Sequence, residues 1–428
     1  MPTRSLVMTQ IFPISSGITL RCFTDHRFKH GCMSIQLVRP MCRHEASMNA
    51  LLPAVLLRGS ESCPDLRHIT LRLDDLYGAS VGALVRRVGD YQTTGLYSSF
   101  TEDRFAMAGD QILEPMLAFL QELLLSPLLE DGAFCGDFVE SEKKNLISTI
   151  ESQLNDKRAY AMEQMIRSMC ANDTFGIPRL GEKEDVAAIT PRALYDHYRR
   201  ILRTSRIDLF YVGSAAPEKV AKLTQAMFVG MERSFEALPA QTALRSAPET
   251  DRAEHMDVNQ GKLCMGFVTP VTIRDDGFVA TQLLNMIFGG GMASKLFSHI
   301  REEMSLCYAI GSGFHGSKGI LTVSAGIDSH MDETVRREVL HQLRACQEGE
   351  IRDEELAAAK EALRSSLLAT HDSPGAIENY YASAVLSGLP LTPGQYIQKV
   401  EQTTLAQVRD AAKLLKLHSV YFLKGGSL

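Results

Sequence analysis

The 428-residue chain has no tryptophan and no C-x-x-C pair. Its nine cysteines (Cys22, Cys32, Cys42, Cys63, Cys135, Cys170, Cys264, Cys307 and Cys346) are scattered and odd in number. That pattern excludes a complete disulfide framework and a cysteine-type zinc knuckle. Reduced thiols, and hence a cytoplasmic location, are the expectation. There is no basic stripe, and the net charge is −6, so nucleic acid is not an expected partner. The one basic cluster, Arg199, Arg200, Arg203 and Arg206, falls at the end of the helical stretch PRALYDHYRRILR, where cations suit the helix dipole. Long apolar runs are also missing. The longest near the start, Ala50–Leu57, is far short of the roughly 20 residues that span a bilayer. The first residues hold no apolar core followed by a small-residue cleavage site, so neither membrane insertion nor export is expected.

What is present is length and self-similarity. A chain of this size exceeds one ordinary core and suggests two domains of about 200 residues each. A polar, Ala/Pro/Glu-rich stretch separates two halves and reads as an exposed linker, giving domains 1–230 and 258–428 with a linker at 231–257. Each half repeats one order of elements. ALLPAVLL runs into Gly59, a polar helical segment and the strand VGALVRRVGDYQTTGLYSSF. FVATQLLNMIF runs into Gly289–Gly291, ASKLFSHIREEMSLCY and the strand-like AIGSGFHGSKGILTVSAGI. A long amphipathic helix follows in each half, the second with Leu356, Leu363 and Leu367 on one face and Asp353 as its N-cap. The fold class is α+β, two duplicated domains, each an antiparallel β-sheet covered by helices.

Several short patterns imitate chemistry. GASVG (Gly78–Gly82) matches a nucleophile elbow with Ser80 at its centre, but that elbow needs a strand before it and a helix after it. Here the order is reversed. GSGFHG (Gly311–Gly316) matches a dinucleotide fingerprint, yet a strand follows where a helix must open, so a hairpin turn accounts for it. His26 and His30 are four apart but lie between two strand-like runs without a third ligand. HEASM (His44–Met48) puts Met where a second zinc-binding His would stand.

Three stretches together resemble the pitrilysin/insulinase (M16) zinc peptidases, whose signature is H-x-x-E-H. NALLPAVLLRGS aligns with the signature and its K-G-T tail, and SEKKNLISTIESQLNDK aligns with the helix that carries the third zinc ligand. LLNMIFGGGMASKLFSHIREEMSLCYAI matches the long C-terminal pattern of the family. The resemblance implies the LuxS/MPP-like metallohydrolase fold. It places the two zinc histidines at Ala50 and Ala54, the general base at Pro53 and the distal glutamate at Thr149. All four family residues are gone, and Ala and Pro side chains have no lone pair to coordinate a metal and no group that can accept a proton. Pro53 also predicts a helix that kinks or starts late.

By the same resemblance, Arg301 and Tyr308 keep the seven-residue spacing of a pair that binds the substrate backbone carbonyl near the scissile bond. Gly289, Gly290 and Gly291 match a loop that helps admit substrate in the non-catalytic subunit of the mitochondrial processing peptidase. A helix C-cap is the plainer account of them. The implied function is a non-catalytic subunit without zinc of its own, paired with an H-x-x-E-H paralogue that holds the zinc and acting on a peptide or unfolded protein. Members of this kind carry a label-level link to elongation factor P. Alternatives are a peptide-binding scaffold without proteolysis, a homodimer in isolation, and a hydrolase using Ser80.

Overall fold

The computed structural model describes residues 8–153 and 155–425. In chain order the strands of its two large sheets are β1 (Met8–Ser15), β2 (Ile18–Thr24), β3 (His30–Pro40), β4 (Ser80–Val88), β5 (Tyr91–Thr101) and β6 (Arg206–Gly213). They continue with β7 (Thr250–His255), β8 (Gly261–Val268), β9 (Cys307–His315), β10 (Ile320–Ile327) and β11 (Lys416–Lys424). The helices that bear on function are α1 (Arg43–Leu56), α2 (Gly136–Ser152), α3 (Lys157–Met169) and α4 (Pro191–Thr204). After them come α5 (Phe278–Phe288), α6 (Asp353–Ala369) and α7 (Pro374–Ser387). Asp353 is the first residue of α6, and Arg352 stands at the N-cap.

The first unit comprises residues 1–150, 178–240 and 371–383. Its sheet has the order β1-β2-β6-β3-β5-β4. Alternation along the strands sends Leu20, Met33, Ile35, Leu37, Leu209 and Tyr211 to one face, where they join Leu51, Leu52 and Val55 of α1 in the core. The polar face is met by α7. Glu378 there is fully buried and accepts from Ser34 Oγ and Gln36 Nε2 at 2.7 Å each. Arg86 closes on both its oxygens at 3.0 and 2.8 Å, so the buried charge is compensated.

The second unit comprises residues 151–177, 241–370 and 384–428, with sheet order β9-β10-β8-β11-β7. Helix α3 covers β8 and β11 with Ala161, Met165 and Met169, all fully buried. Asp173 and Lys318 pair at 2.9 Å with side-chain exposures of 1% and 0%.

Matching β2–β6 with β7–β11 in chain order gives the same strand order in both sheets, so the repeat legible in the sequence is a topological duplication. Two expectations need correction. Each sheet has one parallel contact, β2 with β6 and β7 with β11, because these partners are joined by long crossovers and not by hairpins. Nor are the units the contiguous blocks 1–230 and 258–428, since α3 supplies core to the second and α7 a buried carboxylate to the first. The stretch read as a linker is likewise tied down. Its backbone amides at Ser234 and Glu236 donate to the carbonyls of Arg203 and Thr204 at 3.0 and 2.9 Å, and Arg233 donates to Leu202 O. These are carbonyls that the end of α4 leaves without helical partners. Farther on, Ala247 N donates to Met169 O, and β7 occupies the last part of the stretch.

Candidate functional site

Helix α1 carries three of the four positions where the sequence places lost zinc chemistry. It begins at Arg43 and runs through the proline to Leu56, so the late start expected from Pro53 does not occur. The proline sits in the final turn, where it removes one amide, and the carbonyl so released is that of Asn49. Thr94 of β5 donates its hydroxyl to that carbonyl at 2.6 Å. A neighbouring strand therefore replaces the donor that the proline removes. Ala50 and Pro53 are buried and Ala54 is partly buried. Thr149, on α2, is exposed and donates back to Asn145 O at 2.9 Å. Zinc needs imidazole, thiolate or carboxylate lone pairs, which methyl groups and a pyrrolidine ring lack. Among the described residues no group of three or more His, Cys, Asp or Glu could hold a metal ion.

Beside these positions lies a polar network that the sequence did not disclose. Asn49 Nδ2 donates to Gln92 Oε1 at 2.9 Å, and Gln92 Nε2 donates to Ala46 O and Arg179 O at 3.1 and 2.7 Å. Arg200 Nη2 lies 2.8 Å from His197 Nδ1, so that nitrogen accepts, and Nε2–H donates to Asn49 Oδ1 at 2.7 Å. Arg200 and Arg39 both pair with Glu45. Burial, and then the Arg200 charge, depress His197 to about 4. His197 is thus a neutral structural imidazole.

The second unit brings Arg301 and Tyr308 together. Residues Leu296–Glu303 form a π-helical segment, a rare wide turn that recurs at functional sites. The expected helix is present, in this wider form. Arg301 is exposed near its end. Its Nε donates to the Tyr308 carbonyl at 3.1 Å, and its guanidinium lies 4.7 Å from the centroid of the Phe297 ring. Among the described residues neither terminal Nη has a hydrogen-bond partner. Tyr308 is 60% exposed and near the start of β9, an edge strand of its sheet. Ser305, in the turn between them, holds a left-handed φ of 51°. Burial pushes the adjacent Cys307 thiol to about 11, with Arg301 pulling the other way, so Cys307 is no thiolate nucleophile at neutral pH.

The three glycines divide. A Cβ on Gly289 would stand 2.7 Å from Ser312 Oγ, and one on Gly290 2.9 Å from Met286 Cα, while Gly291 has open space. Gly289 is the C-cap of α5, and its carbonyl accepts from Ser312 N at 2.8 Å. None of the three has a left-handed φ. Close packing calls for the first two, Gly289 against β9 and Gly290 against the end of α5.

On the other side of the π-helical segment a cavity of about 440 Å³ is lined by Lys295, Ser298, His299, Glu303, Arg352 and Glu355. Lys295 pairs with Glu355 at 3.1 Å and His299 with Glu303 at 2.7 Å. The decoys fall as expected: Ser80 opens β4, GSGFHG ends β9 at the β9–β10 hairpin, His30 opens β3 and His44 lies in α1. Phe297 was not singled out in the sequence, although its i, i+4 spacing to Arg301 carries that signal.

Comparison with known proteins finds similarity along nearly the whole chain. Residues 188–363 match the family described as the Peptidase M16 inactive domain. The chain is 29% identical over 409 residues to a Bacillus subtilis protein named probable inactive metalloprotease YmfF, covering 96% of each chain. A conserved protein from Enterococcus faecalis superposes with a TM-score of 0.90 at 26% identity, covering 98% of this chain and 99% of the other. A peptidase M16 inactive domain from Pseudomonas fluorescens has the same fold, with a TM-score of 0.81 at 16% identity and 98% coverage of both chains.

Proposed function

We propose that this chain, similar over residues 188–363 to the Peptidase M16 inactive domain, is the non-catalytic subunit of a two-chain zinc peptidase. The partner is a paralogue with an intact H-x-x-E-H motif, which supplies the zinc and the general base. This chain supplies Arg301 and Tyr308, which orient a backbone carbonyl of an extended peptide beside the free edge of β9. The observation that carries the reading is the exposed Arg301 guanidinium, anchored through Nε to Tyr308 O while its terminal nitrogens keep their donors. A fixed fork of donors suits a carbonyl oxygen that gains charge in the transition state. Zinc chemistry does not fit the residues at Ala50, Pro53, Ala54 and Thr149, and no step is assigned to this chain's own first unit.

The test is to express the chain alone, the H-x-x-E-H paralogue alone, and both together, and to follow cleavage of an unfolded protein. Elongation factor P, which the family resemblance names, is the first folded substrate to offer. Hydrolysis only by the pair supports the proposal. Peptide binding by the pair without hydrolysis supports the scaffold alternative, and hydrolysis by the isolated paralogue at the full rate contradicts any complementing role.

A further inference from the structure

We infer that Phe297 is a positioning residue for Arg301, and that it sets how strongly this chain holds a peptide carbonyl. The inference rests on the reading above that Arg301 binds peptide. An exposed arginine has many rotamers, and fixing its fork on a ligand costs conformational entropy. Here two contacts reduce that cost before any ligand arrives. Nε is engaged by the Tyr308 carbonyl at 3.1 Å, and the guanidinium lies over the Phe297 ring at 4.7 Å. The first contact uses the only donor nitrogen that is not part of the terminal pair. The second uses the π-face of a partly buried ring on the same π-helical segment and consumes no donor at all. Both terminal nitrogens therefore stay available on a side chain that is already oriented. An aliphatic residue at 297 would fill similar space without the ring quadrupole that attracts the cation.

The experiment uses the full chain and a short, fluorescein-labelled peptide of alternating Val and Thr, capped at both ends so that only uncharged groups are on offer. Binding is read by anisotropy for the parent, Phe297→Leu, Phe297→Trp, Arg301→Ala and the Phe297→Leu/Arg301→Ala double variant. Only variants whose melting temperature matches the parent enter the comparison, with Phe297→Met replacing Phe297→Leu, Phe297→Tyr replacing Phe297→Trp and Arg301→Gln replacing Arg301→Ala where needed. Phe297→Leu is expected to weaken binding about two- to fivefold, and Phe297→Trp to bind at least as well as the parent. In the Arg301→Ala background Phe297→Leu changes nothing further. If Arg301→Ala weakens binding but Phe297→Leu does not, or if Trp binds no better than Leu, the positioning role is overturned and the proposed function stands. If Arg301→Ala leaves binding intact, both fall.

Discussion

The Thr94 hydroxyl donates to the Asn49 carbonyl, the acceptor that Pro53, four residues on, leaves without its helical amide. The position where the family resemblance puts a catalytic base has thus become part of the packing of α1 on β5. Thr94→Val orphans a buried carbonyl and is expected to cost about 1–3 kcal/mol. In a Pro53→Ala background the amide returns and the same substitution costs less. A double-mutant cycle by urea unfolding reads the coupling, and purely additive effects would contradict the compensation.

His197 makes stability depend on pH. Its folded pKa of about 4 lies below the 6.5 of an ordinary imidazole, so between these values the unfolded chain binds the proton and the folded chain does not. Its contribution is complete above pH 6.5 and is lost progressively as pH falls toward 4. Between pH 7 and pH 5 this one group should lower unfolding stability by about 2 kcal/mol. His197→Gln should flatten that part of the profile, measured as urea midpoints across the range. An unchanged slope in the variant would mean that His197 is protonated in the folded protein.

The Asp173–Lys318 pair is dry on both sides. Lys318→Met leaves the carboxylate buried without its cation and should destabilise by about 3–5 kcal/mol, seen in thermal melts. Replacing both residues by apolar ones should cost less than this single change.

The triple glycine separates packing from passage. Gly290→Ala meets backbone and should lower the melting temperature, whereas Gly291→Ala meets nothing within 4 Å and should leave it unchanged or slightly higher. If Gly291→Ala nonetheless slows cleavage by the assembled pair, the loop acts on substrate and not only on packing.

The duplication and the helices were legible because periodicity and motif spacing are local. The parallel contacts of β2 with β6 and β7 with β11 were not, since pairing between strands far apart in sequence leaves no local signal. The same holds for α3 and α7, since nothing local in their sequences says which sheet they meet. The anchoring of the linker was not legible for a different reason: composition reports exposed side chains, whereas it is the backbone of 234–236 that caps α4. Pro53 misled because its penalty was counted without Thr94 on the neighbouring strand. Arg301 and Tyr308 are adjacent as their spacing implied, but the Phe297 stack and the Tyr308 carbonyl are geometry that spacing alone does not state.

The most direct measurement is kcat/KM for peptide cleavage by the assembled pair, with and without Arg301→Ala in this chain, together with zinc content for each subunit. The account predicts a fall of roughly 100-fold or more with the complex intact, and zinc only in the paralogue. An unchanged kcat/KM, or stoichiometric zinc in this chain, would contradict it.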